Sequence, residues 1–519
     1  MAKDYLTEFL PDLEEFRDKT MKFHNKEITV PEYKGFSGGF GSYAERGGAS
    51  HMLRLRMAGG RVTKERLQFI TEACDQYDIK RMKLTTCQSI QLHNLEAVQL
   101  CDMIEDAWKA GMISRGGGGD FPRNVMASPL SGVQKDEYFD VLPYAQAAGE
   151  YLMGFIKAVK FPRKLKVAFS NSPENETHAT FRDLGFVATP EGTFDVYAAG
   201  GLGNNPKLGA CVAQGIEPNK ILYYIKAMVN TFVTYGNYEN RGRARTRYMQ
   251  DTLGTEGFIK AYQEKLNEVL RTEQLDLEIV APVISKSGSG TAMPDESIVA
   301  DKRIIPQKQD GLYAVYYQPV GGDFAPKKAK ELYDLIKDME DVEIRLTAEE
   351  GLYIINCNTE EAKQVLELTK DGANTLFETS VACIGSAICQ VGIGKSQALL
   401  QSCVEAVRKE NFADGVLPKI HISGCPSSCG THQIADIGFR GAMKQTPDGP
   451  KPAFAIFIGG CAWQGKEILA DVGKAITVEE IPLFLVELGK MISAENSTYD
   501  QWIQGNQDKL DDLIAKYTA

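Results

Sequence analysis

Residues 52–60, MLRLRMAGG, are followed at a fixed distance by residues 84–95, LTTCQSIQLHNL. Far downstream, residues 314–322, AVYYQPVGG, are followed by residues 346–357, LTAEEGLYIINC. Gly59-Gly60 and Gly321-Gly322 precede Leu84-Thr85 and Leu346-Thr347 by the same interval, so the two stretches keep register at a shift of 262 residues. Between these anchors lie apolar residues at helical spacing: Leu67, Ile70, Cys74 and Tyr77 in the first copy, Ala329, Leu332, Leu335 and Ile336 in the second. Each copy reads as strand, helix, strand and a further helix. The remaining segments echo each other too. PRKLKVAFSNSP (162–173) leads to RDLGF and YAAGG, and PKIHISGCPSSC (418–429) leads to ADIGF and FIGG. Four ordered matches predict a duplicated chain, A–B–A′–B′, of alternating strands and helices. SKSGSGTAMPDES, residues 285–297, reads as the connector between its halves.

A chain of 519 residues has room for roughly three or four structural units. Its first twenty residues are broken by charge, and no apolar run approaches the ~20 residues needed to cross a bilayer. We therefore expect a cytoplasmic protein without membrane contact. A net charge of −11 argues against nucleic acid as a partner, but local cations can still dominate a cleft for a small anion. Eleven cysteines without an export signal do not form a disulfide framework, so some should be metal ligands and others core.

Cys383 and Cys389, in VACIGSAICQVGIG, and Cys425 and Cys429, in CPSSCGTHQIADIGF, form C-x5-C followed by C-x3-C. Glycines and serines flank both pairs, so backbone amides can approach bound sulfur. Four thiolates can hold a zinc ion or a [4Fe–4S] cluster, and C-x5-C fits zinc spacing poorly. Cys403, Cys74 and Cys101 instead fit apolar helix faces, and Cys357 ends an apolar strand. GIGKSQ (392–397) is not a phosphate loop, because Cys389 stands where the first glycine is required.

The first half carries fixed charge where the second carries cysteines. Arg54 and Arg56 are read on opposite faces of a strand, with only one facing a given pocket. Arg123 follows a run of four glycines, and Lys164 and Lys166 share one face of an extended segment. Solvated surface charge is the usual fate of lysine. Against that, this pair borders an apolar strand, and its repeat counterpart leads into the Cys425 loop.

These residues together resemble the sirohaem-dependent nitrite/sulfite reductase family over most of the chain. The carrying motifs are C-x5-C paired with G-C-P-x-x-C-G-x-x-x-x-A-D-I-G-F. The resemblance implies an α+β fold: two ferredoxin-like half-domains plus two α/β cofactor-binding domains, related by pseudo-twofold symmetry. Its segments are an N-terminal extension (1–48), half-domain A (49–145), domain B (146–284), a linker (285–309), half-domain A′ (310–378) and the cluster/sirohaem domain B′ (379–519). It implies a [4Fe–4S] cluster on Cys383, Cys389, Cys425 and Cys429, with Cys429 also bridging to sirohaem iron. Arg54, Arg123, Lys164 and Lys166 match the family's oxyanion-gripping positions, and Gln91 and His93 match its Q-[FI]-[HR]. One departure stands out: Cys87 occupies the arginine of T-[TN]-R-Q, so Lys83, Arg81 or another cation would have to serve the cofactor's carboxylates.

Within the family, sulfite reductases keep the second lysine of K-x-K, and plant-type nitrite reductases resemble K-x-N. Lys166 thus points to six-electron reduction of sulfite to sulfide. Nitrite reduction to ammonia is the alternative, and a zinc-stabilised, non-catalytic binding protein is the reading from another class. No flavin or nicotinamide motif is present, so a separate donor is expected, either ferredoxin or a flavoprotein.

Overall fold

The computed structural model describes residues 4–280, 284–286, 288 and 300–519, so the expected linker lies partly outside the described residues. The chain divides into two compact units. One comprises Met1–Gly201, Lys207–Tyr317 and Asp323–Thr369, and the other Leu202–Pro206, Gln318–Gly322 and Lys370–Ala519.

In the larger unit, the strands His51–Arg56, Ser89–Leu95 and Arg81–Leu84 form an antiparallel sheet with Ser42–Ala44 at its edge. The copy from the second half orders Tyr313–Tyr317, Leu352–Cys357 and Glu343–Leu346 in the same way, with Ile304–Pro306 at its edge. That edge strand starts inside the expected linker, because Ile304 is buried and pairs with Val315. Arg61–Val62 of the first copy pairs with Glu343–Leu346 of the second, so the two half-domains share a sheet. The repeat extends to single backbone angles. Gly59 and Gly321 both have φ 65°, and Asn94 and Asn356 have 66° and 63°. Each of the latter leads into a helix closed by a reciprocal capping box, Glu96 with Gln99 and Asn358 with Glu361. The N-terminal residues are no mere extension: Phe9, Phe16 and Phe40 are buried, and Phe40 stacks on Trp108.

The B segments are also copies. In the larger unit Met126–Ala127, Val167–Ser170 and Leu184–Ala188 run parallel, and Phe194–Ala198 and Ala210–Ile216 add antiparallel. In the smaller unit the same order is built from Val381–Ala382, Ile420–Ser423, Ile437–Thr446, Gly449–Ile458 and Asp471–Thr477. Between the second and third strands each copy makes one short helical turn entered through a left-handed residue, His178 (φ 54°) or Thr431 (φ 55°). That turn presses on the glycine of D-x-G-F. A Cβ on Gly185 would lie 2.0 Å from the Ala179 carbonyl oxygen, and one on Gly438 would lie 2.0 Å from that of His432. Gly185→Ala should therefore cost about 3 kcal/mol, the upper range for overpacking against backbone. A lowered thermal midpoint checks this, and an unchanged midpoint would show that the turn can move. Among the described residues no helix is long and apolar enough to cross a membrane.

Candidate active site

The basic cluster is assembled in the larger unit by the strand His51–Arg56, the glycine loop 116–119 and the edge of the B sheet. Arg54 donates from Nη1 to the Gly117 carbonyl at 2.8 Å, and Arg56 donates to the carbonyls of Arg115 and Arg123 at 2.6 and 3.0 Å. Both side chains thus leave the strand on the same side. The expectation of opposite faces was wrong, because residues two apart in a strand share a face. Arg123 straddles the loop, donating to the Gly117 and Gly119 carbonyls at 3.0 and 2.9 Å. Burial pushes Arg56 and Arg123 down to about 10, which leaves both cationic at neutral pH. Gln91, with its amide oxygen turned towards Arg54, accepts from Nη2 at 2.6 Å and from Nε at 3.2 Å.

Lys164 and Lys166 flank Leu165, which bridges to Pro122 beside Arg123. The Lys166 ammonium lies 3.2 Å from Cys87 Sγ. Burial lowers the Lys166 pKa, and the attraction of Cys87 opposes it. Two further arginines join this group. Arg182 donates from Nε to the Thr177 carbonyl at 2.9 Å, and Arg245 grips both oxygens of the buried Asp183 at 3.0 and 2.9 Å. Asp183 also accepts from the Lys166 backbone N–H at 2.8 Å and from the Thr246 hydroxyl. The buried Nε of Arg123, Nη2 of Arg182 and Nε of Arg245 have no hydrogen-bond partner among the described residues. Buried guanidinium N–H groups are costly to leave unmade, so this cluster is built to receive acceptor oxygens.

In the smaller unit the cysteine loops are tied together through backbone. Ile393 N–H and Gly394 N–H both donate to the Gly424 carbonyl at 2.8 Å, and Ser386 N–H donates to the Gly394 carbonyl at 2.9 Å. The Gly424 N–H in turn points at Cys383 Sγ at 3.1 Å, and the Ser396 hydroxyl lies 3.2 Å from the same sulfur. Cys389 is held in its loop by a bond from its N–H to the Gly385 carbonyl at 2.9 Å. Cys383, Cys389 and Cys425 are half-buried, and Cys429 is exposed. Among the described residues no three His, Cys, Asp or Glu side chains close on one point as a single ion would require.

A family model described as the nitrite and sulphite reductase 4Fe-4S domain matches residues 118–270 and 377–511. A second, the nitrite/sulfite reductase ferredoxin-like half domain, matches residues 43–107 and 305–371. The chain belongs to the nitrite and sulphite reductase family. It is 24% identical over 498 residues to the assimilatory ferredoxin-dependent nitrite reductase of Haloferax mediterranei, covering 90% of this chain and 83% of that one. To the ferredoxin–nitrite reductase of Leptolyngbya laminosa it is 25% identical over 470 residues, covering 84% of this chain and 85% of the relative. The solved NirA protein of Mycobacterium tuberculosis superposes with a TM-score of 0.75 at 21% identity, covering 95% of this chain and 94% of that one, and so shares the fold.

The protein is thus an oxidoreductase of the duplicated α+β fold whose cofactors are a [4Fe–4S] cluster and sirohaem. Its residues fit both groups. A thiol with a backbone N–H aimed at its sulfur, in a loop of glycines, suits an iron–sulfur cluster, and the orphaned guanidinium groups suit a macrocycle rich in carboxylates together with an anionic substrate.

Among the expected site residues, Arg54, Arg123 and Lys166 come together in the reductase, with Gln91 on Arg54 and Lys164 half-buried two residues from Lys166. Lys83 does not join them. It is 2% exposed and lies 3.0 Å from the equally buried Glu350, and Arg81 pairs with Asp323 at 3.2 Å. Neither cation makes good the arginine missing at position 87. Arg182 and Arg245 lie in the basic cluster beside Cys87 and Lys166, and Arg182 was not foreseen. Its signal was RDLGF set against ADIGF, an arginine where the other copy has alanine. Cys74, Cys101, Cys357 and Cys403 are buried, as core cysteines should be.

Proposed function

We propose that this reductase converts nitrite to ammonia, drawing six electrons from a separate ferredoxin. The observation that carries the reading is the Lys166–Cys87 contact at 3.2 Å. Lys166 was the reason to expect sulfite, because sulfite reductases of the family keep the second lysine of K-x-K. Here its ammonium is matched by a sulfur that the surrounding cations hold towards the thiolate, so it adds little net charge to the pocket. That condition favours a monoanion over sulfite's dianion. The relatives named above as ferredoxin-dependent nitrite reductases support the same substrate and donor.

Cys383, Cys389, Cys425 and Cys429 would hold the cluster, and Cys429 would also serve the sirohaem. When bound, these groups supply electrons to the anion one at a time. The chain's own work is electrostatic. Arg54 and Arg123 hold the oxyanion with N–H groups fixed in advance by the Gly117 and Gly119 carbonyls, so little reorganisation remains when charge develops. Lys164, on its extended segment, offers a proton to an oxygen leaving as water.

Turnover of nitrite and sulfite with one reduced artificial donor tests the assignment. Nitrite should give the higher kcat/KM by at least about tenfold, and a preference for sulfite would overturn it. Lys166→Asn should change nitrite kcat/KM by no more than about threefold, because Cys87 takes up a proton once the ammonium is gone and the pocket's net charge is kept.

A further inference from the structure

The Cys87 thiol lies among cations from four elements. Lys166 approaches it from the extended segment before the B sheet, Arg182 from the turn before Leu184, Arg54 from the strand His51–Arg56, and Arg123 from the end of the glycine loop. Arg245 and its partner Asp183 lie behind Lys166 and Arg182. Apolar contact comes from Met126, Ala168, Ala179, Val187 and Ala348, with Tyr197 beside them. Arg182 is 6% exposed, its Nη2 has no hydrogen-bond partner, and its foremost charge attraction is to Cys87. The backbone beneath the thiol is pinned. Asn124 donates to the carbonyls of Cys87, Gln88 and Met57 at 3.0, 2.9 and 2.8 Å, and Gln88 holds Leu346 and Ala127 with its side chain. The thiol is half-buried at the edge of this cluster.

We infer that Cys87 is a modification site: a thiolate held by the Lys166 ammonium that takes small carbon electrophiles by S-alkylation. In that step a Sγ–C bond forms, the bond from carbon to its leaving group breaks, and the leaving group departs with the electron pair. Sulfur keeps its oxidation level and loses its negative charge, so the Lys166 ammonium is released into the anion pocket. Burial alone would raise this thiol, but Lys166, Arg182 and Arg54 outweigh it and bring it down to about 6. Burial does the reverse to the core cysteines, pushing Cys74 up to about 12 and Cys101 to about 11. The thiolate assignment does not depend on which oxyanion is reduced.

The test uses the full chain purified with its cofactors. Iodoacetamide is pulsed between roughly pH 5 and 9, and alkylation of the Cys87 peptide is followed by mass spectrometry. The rate should rise with a midpoint near 6 and, in Lys166→Gln, should fall about fivefold or more at pH ~6.5. A midpoint in the ordinary thiol range near about 8.5, or no change in Lys166→Gln, would overturn the inference. Thiolate absorbance near about 240 nm, taken as wild type minus Cys87→Ser, decides the matter where bound cofactor slows the reagent. A difference that vanishes on acidification through about 6 supports the site, and no difference at neutral pH overturns it.

Discussion

Cys425→Ser should leave the chain folded and nearly inactive, with turnover lower by on the order of 10³-fold or more, because a four-iron cluster needs all four thiolates. The loss should be visible before any assay as a fall in iron and acid-labile sulfide. The backbone around Cys425 does not depend on its sulfur: Gly424 is fixed by Ile393 and Gly394, and Ile420–Ser423 lies between two neighbouring strands. A collapse of the fold is therefore not the expected cause. Cys403→Ser is the matching control. Cys403 is buried on the helix Ser396–Arg408 among Leu399, Leu400 and Val407, so serine there should lower stability and spare the cluster. Equal iron loss in both variants would contradict the ligand assignment.

The second large effect is expected at Arg123. Arg123→Gln should lower nitrite kcat/KM by about 10²- to 10³-fold, the range for losing one fixed donor to a developing oxyanion. Cofactor content should stay near that of the wild type. Because Arg123 also braces the carbonyls of Gly117 and Gly119, Arg54→Gln serves as the companion variant; it keeps Arg123 and its two carbonyl bonds. Steady-state kinetics beside an absorption spectrum of each variant separates the two contributions. Unchanged kcat/KM in both variants, or activity lost only in proportion to cofactor, would remove these arginines from the substrate site.

Local and periodic features were legible in the sequence. The half-domain repeat keeps one spacing over 262 residues because strand length, glycine turn and helix cap must all recur for each copy to close its own sheet. The loop placement of the two cysteine pairs was legible from their Gly and Pro neighbours. Charge pairing was not legible. Cys87 meets Lys166 across 79 residues and Arg245 meets Asp183 across 62, and no local pattern marks which partner each cation finds. Lys83 reads as an available cation on its strand, yet it is neutralised by Glu350, more than two hundred residues away. The placing of Arg54 and Arg56 was different in kind. The strand geometry that decides it, a side-chain period of two, was already in the sequence.

A sulfur-ligated iron cluster working with sirohaem is the core of this reductase's chemistry. Its most direct test is the absorption spectrum of protein purified without oxygen from a host that makes sirohaem, read beside iron, sulfide and zinc analysis. Haem-like bands together with about four acid-labile sulfides per chain are expected. A colourless protein carrying zinc on these cysteines, without iron or sulfide, would contradict it.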